Sequence, residues 1–188
     1  HKCILSRTGY SGERGYEIFA AADVIGDIWD NIIGQGKDLG FMPCSFSSLD
    51  KVRVEAGLLF YGYDMTTEHT PWEVGLGWTI SRNKNDFRGE KAVYASEGKE
   101  RFKMVGLEIN HAEALSGNEK LKKDNDEVGV VNSPVWSHRM KKSLALAHIR
   151  PDLIEPGTEI DISSDSTNCS ATVRQTPFYD PQKTKTHQ

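Results

Sequence analysis

A carboxylate within an otherwise apolar strand pattern is the first residue in this sequence with chemistry to offer. Residues 7–20 read RTGYSGERGYEIFA, a glycine-rich turn followed by a strand in which Glu17 stands between Tyr16 and Ile18. Burying a carboxylate without a partner costs free energy, so Glu17 either points into water at a strand edge or binds a partner. An ionised carboxylate accepts two parallel hydrogen bonds, and a flat heterocycle with an amino group beside a ring N–H, such as guanine or a pterin, donates such a pair.

Arg53 and Tyr10 are two further candidates. Arg53 lies in a helical pattern, where it is either a surface side chain paired with Glu55 or a fixed fork of donors for a carbonyl or carboxylate of a ligand. Tyr10 lies within the glycine-rich turn, where a large ring has little intrinsic reason to be unless it covers a ligand. Trp72 and Trp78 are expected to pack in the core or between domains, with ligand walls as the alternative.

Several kinds of site are excluded by what the sequence lacks. The six histidines contain no pair at metal-ligand spacing, and the glycines of GYSGERG do not form the dinucleotide-binding fingerprint. Cys3, Cys44 and Cys169 are far apart, so we expect reduced, mostly buried thiols in a cytosol-like compartment. A net charge of -4 argues against nucleic-acid binding, and no apolar run reaches the roughly 20 residues of a membrane span.

A hairpin and a helix are predicted to position Glu17. Two strands flank a turn at residues 8–15, and the strand alternation separates Glu17 from the apolar face. Asp23 is predicted to cap the helix that follows, which carries an apolar stripe and stops at Gly34 and Gly36.

A second helix is predicted to position Arg53. It starts near Ser47, has Asp50 as a capping-box acid, and ends at Gly57. Residues 58–80 are rich in aromatic residues and glycine, which predicts a loop with short strands. The inner face of the helix is predicted to consist of Leu49, Val52 and Ala56.

The remainder of the chain is predicted to be a small β domain. The polar stretch at residues 96–101 reads as a hinge, so we place a domain boundary near residue 97, giving domains 1–97 and 98–188. Five short strands without intervening helices favour a barrel or a sandwich, and residues 118–127 read as a solvated loop between two of them. The predicted strands are 102–109, 128–132, 144–149, 159–162 and 170–175.

Four ordered blocks of this sequence resemble the glycine cleavage T-protein, or aminomethyltransferase, family. SRTGYSGERGYEIF is similar to R-T-G-Y-T-G-E-x-G-[FY]-E-I, and MPCSFSSLDKVRVEAGLLFYGYDM is similar to the block that contains R-L-E-A-G-L-x-L-Y-G. HTPWEVGLGWTI with NDFRGEKA resembles the end of the folate-binding part, and VGVVNSPVWSHRMKKSLALAHI resembles the C-terminal barrel. The resemblance implies an α+β fold, in which part of a folate-binding domain is followed by a small antiparallel β-barrel.

The resemblance also implies roles for individual residues. Glu17 matches the family acid that hydrogen-bonds the pterin of tetrahydrofolate, Arg53 matches an arginine that contacts the folate, and Tyr10 would line the same cavity. Trp78 matches an aromatic residue near that cavity. The catalytic aspartate of the family matches no position here, so we expect this chain to be the later portion of a longer protein, without turnover by itself. The opening HKCILSRTGY, which lacks an initiator Met, agrees with that expectation.

Three activities follow from the resemblance. The first is transfer of an aminomethyl group from a lipoyl carrier protein to tetrahydrofolate, in the cytoplasm or, in a eukaryote, the mitochondrial matrix. The second is demethylation of a small methylated amine or sulfonium donor, because the ending RQTPFYDPQKTK equally resembles methylamine-oxidising relatives. The third is a non-catalytic folate-binding module, although the K-G-C-Y-x-G-Q-E motif of such relatives is missing from NDFRGEKA.

Overall fold

The fold was examined in a computed structural model that describes residues 1–164 and 167–186. The chain starts with a two-stranded antiparallel hairpin, in which β1 (Cys3–Ser6) pairs with β2 (Glu17–Ala20) so that Ser6 faces Glu17. The predicted hairpin and its turn are therefore confirmed. Helix α1 (Ile25–Gly36) follows directly.

Helix α1 starts one residue later than predicted and ends at Gly36, as predicted. Val24 occupies the N-cap position without any side-chain capping bond, so Asp23 does not cap the helix. Gly34 lies inside α1 and Gly36 is its last residue, after which a 3-10 turn leads to Gly40 at a φ of 79°. That left-handed conformation, which glycine adopts without steric cost, ends the helical segment.

Helix α2 (Phe46–Glu55) begins earlier than predicted and ends where predicted. Ser45, rather than Ser47, is the N-cap, because its hydroxyl accepts a hydrogen bond of 3.2 Å from the Ser48 amide. Gly57 terminates the helical stretch at a φ of 72°.

The buried face of α2 differs from the prediction. Arg53, Val54 and Glu55 are buried, whereas the predicted Leu49, Val52 and Ala56 are half-buried. Val54 packs on the outside of the barrel with Val135, Leu144 and Leu146. Charged residues could take the inward positions because the barrel and the following loop supply partners for both of them.

Residues 58–102 connect α2 to the barrel. Of the predicted short strands in residues 58–80, all of which the structure describes, only a single bridge between Tyr61 and Met65 is present. A 3-10 turn at Gly77–Thr79 and helix α3 (Glu90–Ala95) complete the segment.

The second half of the chain is a closed, six-stranded antiparallel barrel. Its strand order is β3-β6-β5-β4-β7-β8, so the barrel alternative is confirmed. The five predicted strands are all present, with longer bounds in most cases. The strands are β3 (Lys103–Ile109), β4 (Lys120–Lys123), β5 (Asp126–Ser137), β6 (Lys142–Ile149), β7 (Glu159–Ser163) and β8 (Asn168–Arg174).

Strand β4 was missed because its sequence, KLKK, is polar. Leu121 is completely buried in the barrel while its lysine neighbours lie outside, so residues 118–127 are not a solvated loop throughout. Asp124 and Asn125, at φ values of 52° and 70°, form the tight turn between β4 and β5. Strand β4 is needed to close the barrel, since it bridges β5 and β7.

The main hydrophobic core lies inside this barrel. Its side chains come from alternate positions of the strands, as expected for a small barrel filled by its own residues. The core residues with 0–3% exposure are Leu107, Ile109, Leu121, Val131, Ala145, Ala147, Ile149, Ile160, Ile162, Ala171 and Val173.

Candidate functional site

The carboxylate of Glu17 is exposed on the open face of the hairpin. The Thr8 hydroxyl donates a hydrogen bond to Glu17 Oε2, and no other hydrogen bond to the Glu17 side chain is found within residues 1–164 and 167–186. Phe19 lies on the same face and is 56% exposed, whereas Ile18 is half-buried. The predicted alternation is thus confirmed, and the binding role of Glu17 stays a prediction.

The glycine-rich turn of the hairpin is fixed onto the end of α2. The Tyr10 hydroxyl donates a hydrogen bond of 2.5 Å to the Leu59 carbonyl. A side chain at Gly12, which has a φ of 71°, would collide with the Ala56 Cβ, so glycine is required for the approach. Burial raises the pKa of Tyr10, with a smaller opposing effect from the Arg53 guanidinium.

Tyr10 is part of an aromatic cluster. We use that name for Phe60 and the three rings around it. The ring centroids of Tyr10, Phe46 and Tyr63 lie 6.5, 6.2 and 5.4 Å, respectively, from the centroid of Phe60. The Arg53 guanidinium lies 5.6 Å from the Phe60 centroid. Because Phe46 and Tyr63 are each 67% exposed, the cluster offers flat apolar surface on which a planar ligand can stack.

Arg53 is buried, with 3% exposure, and its donors bind protein acceptors. Nε binds Asp50 at 2.7 Å, and Nη1 binds the Leu58 carbonyl at 3.1 Å and Asp64 at 2.6 Å. Nη2 donates to the Ser133 hydroxyl at 2.8 Å. Arg53 is therefore neither a surface residue nor a partner of Glu55, and it links α2, the following loop and the barrel.

A β-bulge in β5 explains why the barrel can reach Arg53. The register against β6 shifts between Val131 and Ser133, which leaves Asn132 without a ladder partner. The Asn132 amide donates to the Tyr63 carbonyl at 2.9 Å, and its oxygen accepts from the His148 amide at 2.8 Å. The bulge thereby directs Asn132 and Ser133 toward the segment that carries the aromatic cluster.

A buried histidine fixes the other end of this segment. His148 Nε2 donates to the Asp64 carbonyl at 2.7 Å, and the imidazole stacks on Phe102 at 3.9 Å with His69 at 5.2 Å. Burial lowers the pKa of His148, which favours the neutral form of the ring. Sequence reasoning treated the histidines only as metal ligands; the apolar neighbours of His148 in LALAHI were the signal that it is buried.

Glu73 anchors the loop after α2 to the start of the barrel. It is 1% exposed, accepts from Arg101 Nε at 2.7 Å and from the Thr70 amide at 2.9 Å, and its pKa is lowered to about 2, chiefly by the Arg101 hydrogen bonds. The Met104 amide donates to the Glu73 carbonyl at 2.8 Å. These bonds hold residues 70–73 against the start of β3.

Trp78 lies apart from the other predicted site residues. It is 81% exposed and lines an open cleft with Trp72, Arg82 and Lys103, so it does not pack in a core. Trp72 is 9% exposed, and its indole N–H donates to the Val93 carbonyl at 2.8 Å, which confirms the packing role for this tryptophan.

The structure thus groups some of the predicted residues and separates others. Tyr10 and Arg53 meet at Phe60, Glu17 lies on the hairpin whose turn Tyr10 anchors, and Trp78 is elsewhere. Phe60 was not singled out from the sequence, although the aromatic run LLFYGYDM points to it.

Much of the surface around the hairpin is apolar. Tyr16, Trp29, Phe41 and Met42 are 56–73% exposed, and they line an open groove between β2, α1 and residues 41–44. A contiguous exposed apolar patch is more often an interaction or binding site than an ordinary part of a monomer's surface.

The other candidate chemistries find no support in the part of the chain that is described. Within residues 1–164 and 167–186, no group of three or more His, Cys, Asp or Glu side chains is arranged to hold a metal ion, and no helix is both long and apolar enough to cross a membrane. All three cysteines are free thiols, but Cys3 and Cys44 are exposed, so the prediction of mostly buried thiols is wrong. Cys169 is half-buried, and burial raises its pKa.

Two family models match this chain. Residues 1–84 match the GCVT N-terminal domain, and residues 103–180 match the glycine cleavage T-protein C-terminal barrel domain. The crystal structure of the glycine cleavage system aminomethyltransferase T from Bartonella henselae superposes with a TM-score of 0.87 at 25% identity, covering 94% of this chain and 50% of that chain.

Curated relatives give the same picture. The heme-dependent oxidative N-demethylase gamma subunit of Ectopseudomonas mendocina (strain ymp) is 40% identical over 97% of this chain and 50% of its own length. The aminomethyltransferase of Bacillus subtilis (strain 168) is 36% identical over 95% of this chain and 50% of its own length. The chain spans about half the length of the curated relatives it matches.

Proposed function

Because this chain belongs to the glycine cleavage T-protein (aminomethyltransferase) family, we propose that it contributes the C-terminal portion of a tetrahydrofolate-dependent one-carbon transferase. The observation that carries this proposal is the exposed carboxylate of Glu17. It lies on a hairpin whose turn is fixed beside the aromatic cluster and Arg53.

The residues present fit a folate. One oxygen of Glu17 accepts from the Thr8 hydroxyl, and the carboxylate retains lone pairs for the amino group and ring N–H of a pterin. The aromatic cluster supplies a surface for a planar ring, and its member Tyr10 is held in place by the bond from its hydroxyl to the Leu59 carbonyl. Arg53 supports the site by holding Phe60 and the loop in place, because its donors bind Asp50, Asp64 and Ser133.

Tetrahydrofolate, when bound, accepts the one-carbon unit on its amine nitrogens. With an aminomethyl group on a lipoyl carrier protein as donor, the carbon passes to the folate, ammonia leaves, and the carrier thiol is regenerated. Residues of this chain bind and orient the folate ring. The general acid–base group is expected from a polypeptide equivalent to the other half of the relatives, since proton transfer needs a group within hydrogen-bond reach.

A second donor is favoured by one comparison. The relative with 40% identity is named as the gamma subunit of a heme-dependent oxidative N-demethylase, whereas the B. subtilis aminomethyltransferase is 36% identical. Oxidation of an N-methyl amine releases its methyl carbon at the oxidation level of formaldehyde, which is the level that tetrahydrofolate carries as a methylene bridge. Under this alternative the protein acts as a folate-dependent subunit that captures the carbon after another subunit has oxidised the amine.

The test is a chimera in which this chain replaces the matching half of the B. subtilis aminomethyltransferase. Titration calorimetry should detect tetrahydrofolate binding by the chimera. Binding by the 188-residue chain alone should be far weaker, because only part of the site is present. A chimera that folds, by circular dichroism, but does not bind tetrahydrofolate would overturn the proposal.

The two donors are separated by assaying the same chimera. Release of ammonia from an aminomethylated lipoyl carrier supports the first reading. Capture of formaldehyde carbon on tetrahydrofolate without that release supports the second. The intact B. subtilis enzyme is the matched control for the lipoyl donor.

A further inference from the structure

The hairpin that carries Glu17 is in contact with the charged side chain of Arg139 on the barrel. This residue lies in the turn between β5 and β6. Its Nη1 donates a hydrogen bond of 2.8 Å to Glu13 Oε1 in the glycine-rich turn. The side chains of Arg139 and Glu13 are 29% and 39% exposed, so the pair is partly shielded from water.

Arg139 also joins two further segments. Its Nε lies 2.8 Å from Glu55 Oε2 at the end of α2, as an ion pair that lacks hydrogen-bond alignment. The guanidinium stacks over the Tyr179 ring, 4.1 Å from the centroid. A planar guanidinium can serve several acceptors and a ring at once because its donors are fixed in one plane.

The surroundings hold Arg139 in this position. Glu55 Oε1 accepts a hydrogen bond of 2.6 Å from the Ser137 hydroxyl, which in turn accepts from the Met140 amide at 3.1 Å. The backbone carbonyl of Glu55 accepts from the Phe178 amide at 2.8 Å, which brings Tyr179 beside Arg139. The Arg139 side chain is therefore positioned by α2, by the barrel and by the C-terminal segment before it meets the hairpin.

From this geometry we propose that Arg139 is a positioning residue for the ligand-binding hairpin, acting through Glu13. The pair fixes the turn relative to the barrel, and the turn sets where Tyr10 and Glu17 lie. This inference rests on the proposed function for the ligand, tetrahydrofolate, but the hairpin contact itself can be tested without any ligand.

Glu13 is the residue to change, because removing Arg139 would leave the buried Glu55 without its cation and destabilise the fold. Glu13→Ala removes the contact, and Glu13→Gln keeps an acceptor oxygen without the charge. Glu127→Ala is the matched control, since Glu127 forms an exposed ion pair of 2.6 Å with Lys120 on the barrel, away from the hairpin.

Hydrogen exchange in the 188-residue chain is the first readout. In Glu13→Ala, amides of residues 10–20 should exchange about fivefold faster, the scale of one partly exposed ion pair, while amides of β5 and β6 keep their protection. Glu13→Gln should lie between wild type and Glu13→Ala, and Glu127→Ala should match wild type. Unchanged exchange in Glu13→Ala would overturn the inference.

Tetrahydrofolate kinetics of the chimera are the second readout. Glu13→Ala should raise KM for tetrahydrofolate about fivefold with kcat nearly unchanged, because the loss affects ring positioning and not the reacting atoms. The KM of wild type should also rise with salt, which screens the pair, and that of Glu13→Ala should not.

The outcomes separate the two proposals. Faster exchange with an unchanged KM, or an equal loss in kcat, means that Arg139 does not position the ligand. A wild-type chimera that does not bind tetrahydrofolate refutes the proposed function, and the exchange result then decides by itself whether Arg139 holds the hairpin.

Discussion

The two halves of this chain place their apolar side chains in opposite ways. In the barrel, Leu107, Leu121 and Val131 have no exposed surface. In the hairpin and α1, by contrast, Ile4 is 69% exposed and Trp29 is 56% exposed. The barrel therefore buries its apolar side chains in its own core, and its strands pair with one another all the way round. The hairpin and α1, in contrast, expose apolar side chains to solvent.

This difference separates a stabilising scaffold from the proposed binding surface. A closed barrel leaves no strand edge for another chain, so its role is to hold the elements that pack on it. The hairpin is attached to that scaffold through its turn, by Tyr10, Gly12 and Glu13. The exposed side chains of the hairpin are therefore accessible to a ligand or to another polypeptide, while the turn of the hairpin is held in place.

The junction between the halves should show the largest effect. Arg53→Leu leaves the completely buried Asp64 without its cation, and losing one partner of a buried pair costs about 3–5 kcal/mol of unfolding free energy. Urea denaturation followed by circular dichroism measures this loss.

The matched control at the surface is Arg150→Leu, which breaks an exposed pair with Asp152 and should leave the unfolding midpoint close to that of wild type. Asp64→Asn added to Arg53→Leu should recover part of the loss, because the uncompensated charge is gone. Equal stabilities of Arg53→Leu and wild type would mean that the junction is not held by this pair.

The contrast in packing gives the next prediction. Leu107→Ala should lower the free energy of unfolding by about 2–5 kcal/mol, because it opens a cavity inside the barrel. Trp29→Ala should change it by less than about 0.5 kcal/mol, since most of that side chain is in water. If urea unfolding shows similar losses of unfolding free energy for both substitutions, the two halves do not differ in how their apolar side chains contribute to stability.

A smaller effect is expected from pH. Burial lowers the pKa of His148 below its ordinary value of 6.5, so below that pH the unfolded chain binds a proton that the folded chain does not. Stability should therefore fall as the pH drops below 6.5, by up to about 1.4 kcal/mol per pH unit, until the pH reaches the lowered pKa of the folded chain. Glu73 lowers the stability further only when the pH falls below 4.5, its ordinary pKa, because its pKa in the folded chain is lowered to about 2.

The pH prediction is checked with two histidine variants. His148→Phe should be less stable at pH 7, because it loses the bond to the Asp64 carbonyl, but its stability should vary less between pH 7 and 5. His138→Gln changes an exposed ring and should keep the wild-type slope. If His148→Phe keeps that slope as well, His148 is not the titrating group.

The barrel was the more predictable half of the fold. Alternating apolar residues gave five of its six strands, because each strand has one face in the core. The exception was β4, whose single core residue, Leu121, stands among lysines. Closure of the barrel determines that strand, and closure is not visible in a four-residue pattern.

The candidate site was predictable only where its residues stand out in the local sequence. Glu17 and Tyr10 were found from the local sequence, because an acid in a strand and a ring in a glycine turn are unusual there. The burial of Arg53 and the position of Arg139 depend on contacts with residues 80 and 126 positions away in the sequence. Periodicity within α2 predicted an apolar inner face, and the distant partners Asp64, Ser133 and Ser137 explain why charged residues occupy it instead.

We propose that the Glu17 carboxylate binds the amino group and ring N–H of a pterin. The most direct measurement is the tetrahydrofolate Kd of the chimera with Glu17→Gln, with Asp30→Asn on α1 as control, repeated with a folate analogue that lacks the ring amino group. Glu17→Gln should weaken tetrahydrofolate binding by about 1.5–3 kcal/mol, the scale of a hydrogen bond to a charged group, and should weaken binding of the analogue much less. A Glu17→Gln chimera that binds tetrahydrofolate as tightly as wild type would contradict the account.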